Sequence, residues 1–271
     1  MKIIVITGAS DGIGAEIARQ LASAGKAKTG LVLAARNEAA LQAVAAQCEA
    51  FGSLTLVVKT DVGVQADCKA LIDKTIEKFS RIDALINNAG ISAQALFADV
   101  KAEDLGWYED LMRVNLWGSV WCSHAALPYL KATQGSVVAV SSLAGLVGVP
   151  GRTAYSATKF AMTGFFEALR AELKTAGVSV TTAYPGVVAT QIRYHGLNAK
   201  GEAAGSSGLK EDNAMSVGEC ARLIIDGMQR RQREVVMTGK GKFGRFLKLI
   251  APGVVEKMAL DALKDDVKPK A

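Results

Sequence analysis

The stretch KIIVITGASDGIG at residues 2–14 constrains the fold more than any other part of this chain. KIIVIT is a short apolar run of strand length. TGASDGIG, residues 7–14, follows it and opens GIGAEIARQLASAG, which reads as a helix ending at Gly25. Gly8 permits a tight turn, Gly12 lets the backbone approach a bound diphosphate, and Gly14 allows the helix to pack closely on the strand. The helix start then offers amide donors and a positive dipole end to phosphates. The spacing is GxxxGxG. It differs from GxGxxG and from the GxxxxGK[ST] of nucleotide hydrolases, and no lysine follows to reach a terminal phosphate. The turn therefore favours a dinucleotide over ATP.

The pattern set by that unit continues. GLVLAA, LTLVVK, IDALINNAG, GSVVAVSS, VSVTTAYPG and REVVM read as six further strands, separated by longer amphipathic stretches. Helices are expected from Asn37 to about Phe51, across VQADCKALIDKTIEKFS, from about Glu103 to Leu130, and from the AYSATKF stretch to about Ala176. The strands are apolar throughout, as in a sheet buried on both faces. Strand–helix alternation implies right-handed crossovers. The expected fold is α/β: one doubly wound, Rossmann-type domain over residues 1–271, with a seven-stranded, mostly parallel sheet and helices on both faces. The Gly/Ser-rich residues 198–213 read as a mobile loop and residues 265–271 as a disordered tail. A C-terminal helical extension is expected over about 242–264, with Phe243, Leu247, Ile250, Val254 and Met258 at near-helical spacing and Pro252 starting a second helix.

The net charge of +6 is partly local, with Arg230, Arg231, Arg233, Lys240, Lys242, Arg245 and Lys248 crowded near the C-terminus. No RNA-binding or zinc-finger motif accompanies them, so a solvated face is favoured over nucleic-acid binding. Contact of the basic C-terminal helices with a membrane surface is a lesser reading than docking on the chain itself or on a partner subunit. Cys48, Cys68, Cys122 and Cys220 share no CxxC spacing, and with two histidines no metal site is expected. Buried reduced thiols, no signal peptide and no membrane-length apolar run point to the cytoplasm.

The second strand ends in Ala34, Ala35 and Arg36. No carboxylate stands there to accept from a ribose 2′-hydroxyl, and a guanidinium suited to a 2′-phosphate follows at once. NADP(H) is favoured over NAD(H). Ser10 adds a hydroxyl to that reading, and Asp11 is a mild counter-signal. Asp61 is placed for the adenine amino group or as a helix N-cap. Asn88, in NNAG, ends the fourth strand as a cofactor contact or as a turn amide.

Tyr155 and Lys159 lie one helical turn apart, on one face. An ammonium beside a phenol favours the phenolate and makes the phenol a usable acid near neutrality. TGASDGIG, NNAG, Asn115 in RVNLWGS, Ser142 in AVSSLAG, YSATK and YPGVVAT occur in an order that resembles the short-chain dehydrogenase/reductase family over nearly the whole chain. The resemblance implies an NAD(P)(H)-dependent carbonyl or alcohol oxidoreductase. It implies Tyr155 as acid/base, Lys159 tuning it, Ser142 (rather than Ser141) polarising the carbonyl and Asn115 holding a water of the proton relay. Cofactor contacts are expected from Gly8, Ser10, Asp11, Gly12, Ile13, Gly14, Arg36, Asp61, Val62, Asn88, Ala89, Gly90, Tyr155 and Lys159, and from Pro185, Gly186, Val188 and Thr190 in the arm after the sixth strand. Residues from about 190 to 215 correspond to a substrate lid.

Leu143, Ala144, Val149 and Met162 are expected to give an apolar substrate lining, with Tyr194 and His195 as further candidates. The leading expectation is reversible reduction of a hydrophobic ketone. A 3-oxoacyl-thioester reductase, its basic patch facing an acidic carrier, is the alternative enzyme. A non-catalytic dinucleotide sensor is the alternative of another class. By the same resemblance the chain forms homodimers or homotetramers through helices at about 103–130 and 153–176.

Overall fold

The computed structural model describes residues 1–24, 29–210, 212, 214–264 and 268. Seven strands form one sheet: β1 (Lys2–Thr7), β2 (Thr29–Ala35), β3 (Leu54–Lys59), β4 (Ala84–Asn87), β5 (Ser136–Val140), β6 (Ser179–Tyr184) and β7 (Glu234–Val236). Their order is β3-β2-β1-β4-β5-β6-β7 and every pairing is parallel. Nine helices accompany it among the described residues: α1 (Gly12–Ser23), α2 (Glu38–Glu49), α3 (Gln65–Phe79), α4 (Gly106–Met112), α5 (Gly118–Thr133), α6 (Thr153–Glu172), α7 (Val217–Gln229), α8 (Gly239–Ile250) and α9 (Pro252–Asp261).

The unbroken apolar strands are explained by two cores, one on each face. Ile4, Ile6, Leu31, Leu33, Val138 and Val140 pack under α1, α2 and α7. The alternate residues Ile3, Val5, Val32, Ala34, Val137 and Ala139 pack under α3, α5 and α6. Strand side chains alternate between faces, so both registers must be apolar. β3 departs from this because it is an edge strand, and its Leu54 is exposed. After β3 the chain crosses back over β1 to form β4. The crevice outside the carboxyl ends of β1 and β4 is therefore the switch point where this class of sheet takes a ligand.

Four expectations need correction or limits. The helix expected over 103–130 is not continuous: α4 passes into α5 through a π-helical turn at Arg113–Trp117. Helix α6 stops at Glu172, short of Ala176, where the chain turns through Gly177 at φ 70°. The first helix ends at Ser23, and Gly25 lies outside the described residues, as does the proposed tail except for Lys268. The stretch 198–213, expected as a mobile loop, is hydrogen-bonded at several of its described residues to the rest of the chain. Leu197 N donates to Ser92 O, Gln94 N to Leu197 O, Gly208 N to Gln94 Oε1 and Lys210 N to Ala262 O.

Pro252 does start α9, after the break at Ala251. Most large apolar residues of α8 and α9 are exposed, namely Phe243, Phe246, Leu249, Ile250, Val254 and Met258, while Val255 is buried. Part of the basic patch is engaged within the chain, with Arg245 on Glu234, Arg230 on Asp226 and Lys248 Nζ on Leu146 O at 3.1 Å. All four cysteines are free and buried. Burial pushes the thiol of Cys48 up to about 11 and that of Cys220 up to about 12. No helix among the described residues is long and apolar enough to cross a membrane.

Candidate active site

A cavity of about 610 Å³ opens along the carboxyl edge of the sheet. At one end the β1–α1 turn lines it with Gly8, Ser10, Asp11, Gly12 and Ile13. Gly8 and Gly12 have φ of 66° and 54°, a left-handed conformation that favours glycine. A Cβ on Gly14 would lie 2.3 Å from Gly8 O and 2.5 Å from Asn88 Nδ2, so α1 seats on the turn only because that residue is glycine. Gly14 itself is buried in the packing and is not on the cavity wall. Asp11 precedes α1 without capping it through its side chain, and the first turn carries no acidic residue. The amides and positive dipole end of α1 are thus available to an anion in the cavity.

Arg36 follows β2 and lines the same end. It is exposed, and it makes no hydrogen bond or ion pair among the described residues. Asp61 and Val62 lie beside it. Asp61 is not a helix N-cap, because α3 begins at Gln65; its Oδ1 accepts from Gly63 N at 2.9 Å. Asn88, Ala89 and Gly90 line the middle of the cavity. Asn88 Nδ2 donates to Thr7 O and Gly8 O, so the amide ties the end of β4 to the β1 turn while also facing the cavity. Pro185, Gly186, Val188 and Thr190 form the opposite wall.

The other end holds Ser142, Tyr155 and Lys159. Ser142 follows β5, and its hydroxyl oxygen accepts from Ala144 N at 3.2 Å, leaving its proton without an acceptor among the described residues. Ser141 is spent differently: its hydroxyl donates to Lys159 O at 3.2 Å. Tyr155 is in the first turn of α6 with Lys159 one turn on. Lys159 Nζ lies 5.6 Å from the Tyr155 ring centroid and donates to Val140 O at 3.0 Å. Lys159 is buried, and desolvation lowers its pKa; the Tyr155 charge opposes that shift and the Arg152 charge adds to it.

Asn115 does not reach the cavity. It is fully buried in the π-helical turn. Its Oδ1 accepts from Ile91 N at 2.8 Å, and its Nδ2 donates to Ile91 O and Thr158 Oγ1 at 3.0 Å. The widened turn explains an asparagine within a helical run, and the side chain braces the segment after Gly90 against α6. Leu143, Ala144, Val149 and His195 line the cavity, whereas Tyr194 does not. Met162 is a core residue whose sulfur accepts from Lys159 Nζ at 3.5 Å.

Sequence reasoning missed Arg152, Ile192, Arg193, Leu209, Ala259 and Ala262 on the cavity wall. Arg152 stands three residues before Tyr155, a helical spacing that was available as a signal. Ala259 and Ala262 are small residues of α9 and its end, brought in where Leu209 pairs with Leu263. Nothing local marks them.

Comparison with known proteins agrees with this geometry. The family model described as short chain dehydrogenase matches residues 2–199. A Dictyostelium discoideum protein named dehydrogenase/reductase SDR family protein 7-like is 34% identical over 259 residues, spanning 94% of this chain and 79% of its own. The Arabidopsis thaliana 11-beta-hydroxysteroid dehydrogenase-like 4A is 38% identical, over 84% of this chain and 74% of its own. A Burkholderia phymatum short chain dehydrogenase/reductase solved in complex with NAD superposes with a TM-score of 0.80 at 25% identity, covering 93% of this chain and 94% of that one. An alcohol dehydrogenase from Thermococcus sibiricus, complexed with 5-hydroxy-NADP, gives 0.72 at 25% identity, covering 87% and 94%. With a family match over residues 2–199, and relatives identical at more than a third of the aligned residues, the chain belongs to the short-chain dehydrogenase/reductase family of oxidoreductases.

Proposed function

We propose that the chain is an NADP(H)-dependent oxidoreductase that interconverts a ketone and a secondary alcohol, on a substrate with an apolar body. The observation that carries this reading is one cavity holding a glycine cradle and Arg36 at one end and Ser142, Tyr155 and Lys159 at the other. The residues fit a dinucleotide: the positive-φ glycines and uncapped α1 suit a diphosphate, and the exposed guanidinium of Arg36 after β2 suits a 2′-phosphate. A nicotinamide dinucleotide held there would supply or take the hydride.

Reduction of a carbonyl leaves negative charge on its oxygen. Ser142 has a free hydroxyl proton to hydrogen-bond that oxygen as the charge develops. Tyr155 gives the alkoxide the proton from its Oη. Lys159 places an ammonium near the phenolate left behind, and its burial strengthens that interaction. Asn115 acts through position, by fixing the Ile91 backbone and α6. Leu143, Ala144, Val149 and Leu209 give the substrate end an apolar wall.

Oxidation of NADPH and of NADH against a panel of ketones, acyl thioesters included, tests the reading. Turnover of apolar ketones with NADPH preferred is expected. A preference for NADH would overturn the role given to Arg36.

A further inference from the structure

The catalytic end of the cavity holds a charge that the reaction just described does not need. Arg152 is 8% exposed and lines the cavity immediately before α6. Its Cζ lies 4.4 Å from the Tyr155 ring centroid, so the guanidinium covers the catalytic phenol. Its Nε donates to Ala93 O at 3.3 Å and its Nη2 to Ser92 Oγ. Both partners are neutral. Among the described residues Arg152 has no carboxylate partner. Its Nη1 makes no hydrogen bond among the described residues.

The surroundings add positive potential. Lys159 and Arg193 are also buried on this wall; desolvation lowers the pKa of Arg152, the Tyr155 charge opposes that shift and the Arg193 charge adds to it. Helix α6, twenty residues long, begins here with no side-chain cap and no acidic residue in its first turn. The cavity's described carboxylates, Asp11 and Asp61, belong to the far end. A buried guanidinium beside other cations is costly unless an anion completes it.

The geometry points to Arg152 as the anchor for a substrate carboxylate. Resting on the reading above, this makes the substrate an oxo acid, or the matching hydroxy acid, with an apolar tail. The carboxylate sits close enough to the carbonyl for one molecule to reach Tyr155 and Arg152 together. The open edge of the guanidinium offers parallel donors to two carboxylate oxygens. Leu143, Val149 and Leu209 take the tail.

Two measurements on the full chain separate this inference from the reading beneath it. The first is calorimetric binding of octanoate and of octanamide to the protein saturated with NADP+. Octanoate is expected to bind at least tenfold tighter than octanamide. Arg152→Gln, which keeps a donor for Ser92, should abolish that preference, and Arg152→Lys should retain part of it, while both keep wild-type affinity for NADP+. Equal binding of acid and amide, or a preference unchanged in Arg152→Gln, overturns the anchor. If Arg152→Gln fails to fold, the acid-over-amide ratio in wild type and Arg152→Lys still decides. The second is NADPH-dependent turnover of 2-oxooctanoate against its methyl ester. The wild type is expected to favour the acid over the ester in kcat/KM, and Arg152→Gln to lower that acid-to-ester ratio at least tenfold. Equal losses on both make Arg152 a structural residue only. Failure of the wild type to turn over any carbonyl compound overturns the proposed activity, while the binding arm still decides the anchor.

Discussion

At the residue scale, the residues proposed for catalysis were legible where helical spacing brings them to one face. Tyr155 and Lys159 are one turn apart in the sequence and meet at one cavity wall. The resemblance selects Ser142 over Ser141, and in the structure the Ser141 hydroxyl is committed to Lys159 O. Ser142→Ala is expected to lower kcat about 10²-fold to 10³-fold, the usual cost of one donor to a developing oxyanion, with NADPH affinity unchanged in a fluorescence titration. Lys159 links function to stability. Burial holds its ammonium pKa below the ordinary value of about 10.4. Between the lowered folded value and the ordinary one, the unfolded chain carries a proton that the folded chain lacks, so stability rises with pH across that window. Below the window both states are protonated and the full penalty is present. Lys159→Met is therefore expected to lose activity yet to be more stable than wild type at pH 7, with the gap narrowing toward pH 10. Urea midpoints for both proteins at several pH values check this; a gap constant with pH would contradict it.

At the element scale, strands and most helices followed from apolar periodicity, because a two-faced parallel sheet writes itself as continuous apolar runs. The π-helical turn at Arg113–Trp117 did not. Its cause is tertiary, since Asn115 reaches across to the Ile91 backbone and to Thr158 on α6. Asn115→Ala leaves the half-buried Ile91 amide and carbonyl without that partner. A loss of about 1–3 kcal/mol of stability is expected, read by urea denaturation, together with reduced kcat. Glycine positions were legible because a phosphate cradle demands them. Gly14→Ala would force a Cβ against Gly8 O. It should cost about 1–3 kcal/mol and weaken NADPH binding; unchanged affinity would argue against the cradle.

At the scale of the whole molecule, a seven-stranded parallel sheet covered by helices on both faces was readable, but the closing of the cavity was not. The segment after Thr190 meets residues 262–264 through Leu209 and Leu263, and it brings Ala259 and Ala262 to the substrate end. No short-range pattern encodes a contact between segments so far apart. Assembly is a proposal at this scale. Exposed Trp117, between α4 and α5, and exposed Phe160, on α6, lie on the helices assigned to a subunit contact. Light scattering should give a dimer or tetramer for the wild type, and Trp117→Glu with Phe160→Glu should shift it to monomer. A monomeric wild type would contradict that assignment.

The central claim is that Tyr155 delivers the proton to a carbonyl oxygen in a cavity that also holds the dinucleotide. Single-turnover oxidation of NADPH by a reducible ketone, in wild type and Tyr155→Phe, tests it most directly when NADPH affinity is measured on the same samples. The predicted result is wild-type affinity with a rate about 10²-fold to 10⁴-fold lower in Tyr155→Phe. A Tyr155→Phe protein that binds NADPH and reduces the ketone at the wild-type rate would contradict the account.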